Sequence, residues 1–568
     1  MISAFTKVLD AKPHTPVYTM HKYFARRPWN IFYELISHYS SPGDIVLDPF
    51  CGGGVTVVES LKLRRKVIGV DVNPIATYIT NMESRPADLQ EIDRAFREVS
   101  RKAKEQISSL YSTQCDNCSA RATADWIEWD EDQDRIIRVK SDCPSCGFSK
   151  IKQPTKDDMR IARSIERKFV VTTKRNKLWF PRTRIPKGDK TNSLLNQKTK
   201  FFHELFTRRN LLALSMLLKE IEAVKNGDAS DFLRLAFSSS LKWASRQSHL
   251  RGRIVEGWAM HAYWIYTKSL EINVWNTFAR RTAAVIRGKK YGTQHIGEFG
   301  KPGSDFDSLT RGNASYLILN QSAARLPIPD DSIDSVITDP PYGGNVNYAE
   351  LSDFWFIWQS RGRTIEKKDE VIVNRTQGKA LRDYESLLFA VFRECHRVLK
   401  PERYLVSTFN SKDMRVVASF ITAAIRAGFT LHQDGVIYQK PIRPYTTTFH
   451  AMQVGAFVGD FIFTFVKQQK SQPQLAEAVG EMRTLKEELT ALINRSTKGE
   501  IPEPKLRENA YSILIPFLAR HTHNNIQACR ETADFFEFKM RELEPYFRKL
   551  REKITEKRRK EFRDPQRP

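Results

Sequence analysis

The sequence predicts an α/β protein built on one doubly wound sheet, split by a long, mainly helical insertion and followed by a helical C-terminal region. Three observations carry this. A strand, a glycine-rich turn, a helix and a second strand follow one another between residues 44 and 72. The same β/α rhythm resumes only after residue 310. Between them lies a helical, basic stretch with two cysteine pairs inside it.

Taken in order, DIVLDPF (44–50) reads as a buried strand, CGGGVT (51–56) as a turn, VVESLKLRR (57–65) as a short helix and KVIGVDV (66–72) as a second strand. Strand-like runs return as SYLILN (315–320), SVITDPPY (335–342), RYLVSTF (403–409) and DFIFTFV (460–466). YESLLFAVFRECHRVLK (384–400) and DMRVVASFITAAIRAG (413–428) read as helices between them. Beyond the linker SQPQ, Leu475, Val479, Met482, Leu485, Leu489 and Leu492 recur at three- and four-residue steps. That periodicity predicts an amphipathic helix packed on the body of the protein; a coiled coil is the alternative, and would call for roughly three to four heptads. The expected boundaries are 1–83 and 311–470 for the two parts of the sheet domain, 84–310 for the insertion and 471–568 for the C-terminal region. There is no internal repeat.

Apolar residues make up 41% of the chain, a globular proportion. No apolar run is long enough to span a bilayer, and the N-terminal stretch lacks the h-region of a signal peptide. A soluble, unexported, cytoplasmic protein with no membrane role is expected. Lys and Arg (91) exceed Asp and Glu (66), a net charge of +25. The excess favours a polyanionic partner, nucleic acid ahead of an anionic membrane surface, over a merely basic protein. Within residues 241–281, Trp, Tyr, Arg and Lys interleave densely, which suits reading base edges or bracing an extruded strand as well as core packing. The closing run, 549–568, reads either as a solvated helix or as a phosphate-contacting tail.

Of seven cysteines, Cys51, Cys395 and Cys529 are scattered, which excludes a disulfide framework and suits a reducing compartment. The other four form CDNC (Cys115, Cys118) and CPSC (Cys143, Cys146), with 24 residues (119–142) between the pairs. Four thiolates so spaced suit one tetrahedral, structural Zn²⁺ in a ribbon of about residues 112–150. A redox dithiol is the alternative, and the second pair argues against it. The spacer carries acids as well as bases, so no DNA contact is assigned to it. His249, His261 and His450 have no neighbours at metal spacing and read as ordinary histidines.

A glycine-rich turn after the first strand lets a ligand approach the backbone, and the next helix offers free N–H groups. The motif LDPFCGGGVT is not G-x-G-x-x-G. Asp71, at the tip of the second strand, suits a ribose diol, and this pair of features fits NAD as well as other nucleoside cofactors. TDPPYGGNVNY (338–348) puts an acid, a stiff turn and an aromatic ring where a chain leaves a buried strand. A turn stiffened by proline for structure alone is the bland reading.

Together, DPFCGGGVT, VIGVDVNPIA and TDPPYGG resemble the amino-methylating DNA methyltransferases. HKYFARRPWNIFYELI (21–36) looks like the segment that this family places before its first strand, over the methionine end of S-adenosylmethionine. NVNYAELSDFW (345–355) and LFTRRNLLALSML (205–217) are similar to the adenine-specific DNA methylases containing a zinc ribbon. The likeness covers roughly residues 1–80 and 310–410, the insertion more loosely, and not the tail after 470. It implies a Rossmann-like, S-adenosylmethionine-dependent methyltransferase sheet. It further implies that Asp48, Phe50, Gly52 and Gly54 form the methionine-side loop, that Asp71 holds the ribose and that Asn73 and Pro74 flank the adenine ring. Tyr23 and Phe24 match the aromatic part of the preceding segment, Lys22 would meet the cofactor carboxylate, and one of Gln321, Ser322 and Ala323 would meet the adenine edge.

The resemblance implies a double-stranded DNA substrate with an extruded target base, in a prokaryotic, nucleoid-associated setting with restriction or defence partner proteins. The DPPY residues Asp339, Pro340, Pro341 and Tyr342 carry the expected chemistry. An exocyclic base amine is a poor nucleophile because its lone pair is delocalised into the ring. Asp339 would accept one N–H and the Pro340 carbonyl the other, drawing the nitrogen toward tetrahedral geometry and freeing the lone pair. Tyr342 offers a face on which the base stacks. N6 of adenine comes ahead of N4 of cytosine, because an Asp at the first position is commoner with adenine in this family. An RNA or protein amide methyltransferase and a DNA-recognition subunit without activity are the other readings. The chain departs from the family's common arrangement in interrupting the sheet between strands two and three, so sequence recognition falls to the insertion, to 345–380 or to the C-terminal helices.

Overall fold

A computed structural model describes residues 2–439, 459–468, 478–498, 503–522 and 526–562. Strands β1 (Ile45–Asp48) and β2 (Lys66–Val70) lie side by side in parallel, Leu47 opposite Ile68. Every residue of β1 is buried, which is why Ile45, Val46 and Leu47 are all apolar before Asp48 ends the strand: a parallel strand is covered on both faces. Helix α1 (Trp29–Tyr39) precedes β1, α2 (Val55–Lys62) links β1 to β2, and α3 (Pro74–Ser84) and α4 (Leu89–Ser109) follow.

The chain then builds the insertion. Strands β3 (Ser112–Gln114), β4 (Arg121–Asp130), β5 (Arg135–Asp142) and β6 (Ser149–Lys152) form an antiparallel ribbon. A two-stranded hairpin, β7 (His249–Arg251) with β8 (Ile254–Glu256), stands apart from it, and β9 (Lys268–Ile272) completes the ribbon by pairing with β4. Helices Lys156–Arg175, Arg208–Glu222, Gly227–Ala244 and Val274–His295 pack around these strands. Val99, Leu214, Phe237 and Phe278 of the insertion share one apolar cluster with Val46 and Ile337 of the main sheet, so this segment covers one sheet face.

The main sheet resumes with β10 (Tyr316–Leu319), β11 (Ile333–Thr338), β12 (Leu399–Phe409), β13 (Thr430–Gln439) and β14 (Asp460–Val466). Its order is β10-β2-β1-β11-β12-β14-β13, parallel through β12, with β14 antiparallel to both of its neighbours. The strand order reverses between β1 and β11. In a doubly wound sheet a ligand crevice opens there, at the carboxyl ends of the strands.

The other face is covered by helices Leu381–Val398 and Met414–Arg426 and by the C-terminal helices Ala478–Thr497, Glu503–His521 and Ile526–Phe562. Leu485, Leu489, Leu514 and Phe536 join the cluster that holds Leu47, Val336 and Leu405. The amphipathic helix read beyond residue 470 thus lies on the body, with Leu485 and Leu489 buried and Leu492 half-buried, while Leu475 falls outside the described residues. So do His450 and the last six residues of the tail.

Two elements depart from the sequence reading. The strand expected at 335–342 stops at Thr338, because Pro340 and Pro341 have no N–H for a ladder. The edge strand β13 escapes apolar patterning, since its middle is His432-Gln433-Asp434-Gly435 and its register slips between Leu431 and Val436. Among the described residues no helix is long and apolar enough to cross a membrane.

Candidate active site

Asp48 ends β1 at the crevice, buried, with its Oδ1 accepting from Thr338 Oγ1 at 2.6 Å and from the Phe50 amide at 3.1 Å. Burial pushes its carboxyl up to about 6. The turn that follows places Gly52 at φ 47° and Gly54 at φ 76°, backbone that favours glycine. A Cβ on Gly53 would lie 3.0–3.1 Å from Arg26 and Tyr23, so the turn is seated tightly against residues 23–26. Asp71 follows β2 and accepts from the Gly52 amide at 3.0 Å and the Asn73 amide at 2.8 Å. Burial drives its carboxyl up to about 7 against the pull of those two amides. Each of its oxygens keeps a further lone pair for a ligand hydroxyl.

Across the crevice, Asp339 is the first residue after β11. The turn is pinned by Tyr384, whose hydroxyl donates to the Pro341 carbonyl at 2.7 Å, and Gly343 turns at φ 61°. Three side chains donate to the Asp339 carboxylate. Thr408 Oγ1 lies 2.5 Å from Oδ1, the Tyr342 hydroxyl also reaches Oδ1, and Arg27 Nε lies 2.7 Å from Oδ2. Arg27 extends Nη1 to Asp460 Oδ2 at 3.0 Å, and its guanidinium sits over the Tyr342 ring, 4.8 Å from the centroid. Burial raises the Asp339 carboxyl to about 6, with Arg27 and Thr408 opposing and Asp460 adding to the rise.

These groups meet in one open cleft. Tyr23, Phe24, Asp48, Phe50, Gly52, Asp71, Asn73, Asp339 and Pro341 line it, as do Gln321, Ser322 and Ala323. Lys22, Gly54, Pro74, Pro340 and Tyr342 do not. Lys22 turns away to donate to the Ala259 carbonyl at 2.8 Å, and burial lowers its ammonium to about 8. Asn73 is occupied as the cap of α3, its Oδ1 taking the Ile75 amide at 3.0 Å, and its Nδ2 donates to Ser352 Oγ at 2.8 Å. Pro74 is the first residue of α3, beneath that cap.

Several wall residues carry no assignment from sequence. Tyr348 stacks on Tyr23 with centroids 5.7 Å apart and planes 12° off parallel. Glu370 holds the start of the helix Tyr348–Gln359 by accepting the Ala349 amide at 2.9 Å. Arg27 and Tyr348 both stand inside segments that the motifs single out, FARRPWN and NVNYAELSDFW. An arginine beside an aromatic was the available signal; its carboxylate partners, 312 and 433 residues away, were not.

Away from the cleft, the four paired cysteines converge. The Sγ atoms of Cys115, Cys118, Cys143 and Cys146 all lie within 4.8 Å of one another. Cys115 and Cys146 are 3.7 Å apart and Cys118 and Cys143 3.6 Å. Sulfurs on a tetrahedral zinc stand about 3.8 Å apart, from Zn–S bonds of about 2.3 Å. Both knuckles share one backbone pattern. The Cys115 amide donates to the Ala120 carbonyl and the Ser119 amide to the Cys115 carbonyl, while Cys143, Phe148 and Gly147 repeat this in the second.

Residues 4–82 match the family model described as DNA methylase, of the N6/N4 group. The Type II methyltransferase M.MjaII of Methanocaldococcus jannaschii is 20% identical over 368 residues, 61% of this chain and 63% of that protein. The chain thus spans a little under two thirds of that relative's length. The Type II methyltransferase M.EcaI of Enterobacter cloacae is 41% identical over 49 residues, 9% of this chain and 11% of that protein. A solved structure described as that of a DNA modification methylase from Thermus thermophilus is matched over 29% of this chain and 57% of that one, at 17% identity. Its TM-score of 0.15 carries no weight for the fold. By its motifs, the family model and the two curated relatives, the chain is related to the amino-methylating DNA methyltransferases.

Proposed function

We propose that the protein is a DNA methyltransferase that modifies the exocyclic N6 amine of adenine within a specific double-stranded sequence. The observation that carries this is the placement of Asp339 after β11, across one cleft from Asp48 and Asp71. Bound here, S-adenosylmethionine would supply the methyl group and leave as the neutral thioether S-adenosylhomocysteine, and the methylated amine would then give up one proton to solvent. The tight glycine turn and Asp71 hold the cofactor side: Asp71 presents acceptors for ribose hydroxyls, and Tyr23 and Phe24 close the wall beside the turn. Asp339 accepts an amine N–H through the lone pair that Thr408, Tyr342 and Arg27 leave to it, and the Pro340 carbonyl is the second acceptor. The Arg27 guanidinium lines the cleft over the Tyr342 ring, and with that ring behind it supplies the flat surface against which an extruded base packs.

Cytosine N4 is the second reading, because it presents the same amine beside a ring nitrogen. The four cysteines fit a structural Zn²⁺ by donor type, number and sulfur separation. A restriction or defence setting with partner proteins, and a cytoplasmic, nucleoid-associated location, complete the proposal as what the family resemblance implies. Asp339→Ala tests the catalytic assignment. It should abolish methyl transfer to DNA while S-adenosylmethionine binding, measured by calorimetry, stays within a few-fold. Methyl transfer retained in that variant would remove Asp339 from the mechanism.

A further inference from the structure

Arg27 is in direct contact with Asp339, and the chemistry above uses its guanidinium as a surface and a hydrogen-bond donor, not for its charge. It lies before α1, far in sequence from both acids it meets. The side chains of Arg27 and Asp339 are only 16% and 20% exposed. A sheltered carboxylate close to a second one is unfavourable. Two acids that share no cation would settle by keeping a proton, and a protonated Asp339 donates where the base amine needs an acceptor.

Three of the roughly four acceptor sites on Asp339 are already taken by donors. The fourth stays an acceptor for the base amine only while the carboxylate is ionised, and the guanidinium beside it does not deprotonate. The charges also count. One cation between Asp339 and Asp460 leaves this triad with a net single negative charge. That matches the positive charge passed to the amine nitrogen during methyl transfer.

We infer that Arg27 is a positioning residue of this active site: bridging Asp339 and Asp460, it keeps Asp339 an ionised acceptor aimed at the target amine. The inference rests on the methyl-transfer reading. The titratable groups facing Asp339 are Arg27, Asp460, Tyr342 of its own turn and Tyr348 of the following helix; Thr408 faces it from β12. The Tyr342 hydroxyl donates to Asp339. Tyr348 is neutral in the working range, burial raising its phenol and Asp339 adding to the rise. Changes in the Asp339 titration therefore report on Arg27 and Asp460.

The test uses the full-length protein and Arg27→Gln, Arg27→Lys and Asp460→Asn. Two readouts are taken on each: the pH profile of single-turnover methyl transfer to duplex DNA, and a carbon-13 NMR titration of the aspartate carboxyls. Asp339 is identified in the spectra by its loss in Asp339→Asn. Arg27→Gln should move the acid limb and the Asp339 titration up by about one pH unit or more, the size of effect that an adjacent opposite charge has. Arg27→Lys should recover most of that shift, and Asp460→Asn should move both the opposite way. S-adenosylmethionine affinity should stay within about twofold throughout, because its anchor Asp71 is untouched. A limb and titration that stay in place while the rate falls equally at every pH would overturn the inference and leave Arg27 a packing role. If Arg27→Gln does not fold, the lysine and asparagine variants decide by their opposite signs. If the unaltered protein methylates no nucleic acid, the functional reading fails and the NMR titration alone judges Arg27.

Discussion

Asp71 shows how one residue couples the site to pH. Burial holds its carboxyl near 7, so at and below neutrality it carries a proton for part of the time. Ribose hydroxyls donate to the ionised form, so cofactor binding must expel that proton. Affinity for S-adenosylmethionine should therefore rise with pH up to about 7 and level off above it, changing by up to about tenfold per pH unit on the acid side. Calorimetry in buffers of different ionisation heat should show proton release at about pH 6 and none at about pH 8. Affinity that is flat across that range would contradict Asp71 as the ribose ligand. Asp71→Ala should cost about 1–3 kcal/mol of binding, the loss expected for hydrogen bonds to a charged acceptor. Gly52→Ala belongs beside it: at φ 47°, with a new Cβ 3.1 Å from the Tyr23 ring, it should weaken cofactor binding without unfolding the sheet.

At the scale of elements, the strand ends carry the chemistry and the ribbon carries the metal-type cluster. The sequence was most legible where burial is two-sided. β1, β2 and β11 are largely buried because a parallel strand has no wet face, and an aspartate that the crevice uses ends β1 (Asp48) or directly follows β2 (Asp71) and β11 (Asp339). It was least legible where contacts are long-range. Asp460 opens an ordinary apolar strand, and nothing near it in sequence announces Arg27. Asn73 has a role that the sequence did not announce: it lines the cleft while its side chain caps α3. The cysteine knuckles were legible because each is a local turn repeated, and the fold only had to bring two copies together. Elemental analysis of the purified protein should give about one zinc per chain. Cys115→Ser or Cys146→Ser should lose the metal and loosen β3–β6, read as faster proteolysis within about residues 112–152, more than it lowers methyl transfer at the distant sheet. Full zinc occupancy after double substitution of Cys115 and Cys143 would remove the site.

For the whole molecule, the insertion and the C-terminal helices clamp opposite faces of one sheet, leaving the crevice between β1 and β11 open at the strand ends. The surplus of 25 positive charges is carried by the chain as a whole. Duplex binding should weaken steeply with salt, since each phosphate neutralised releases counterions. Removing 549–568 should make that slope shallower if the tail contacts phosphate; an unchanged slope would assign the tail to solvent. The account turns on Asp339 acting on an extruded adenine. The most direct measurement is mass spectrometry of nucleosides from duplex DNA incubated with the protein and S-adenosylmethionine. N6-methyladenine is expected with the unaltered protein, none with Asp339→Ala and little with Tyr342→Ala. N4-methylcytosine as the sole product would contradict the base assignment, and no methylated base in DNA would contradict the function.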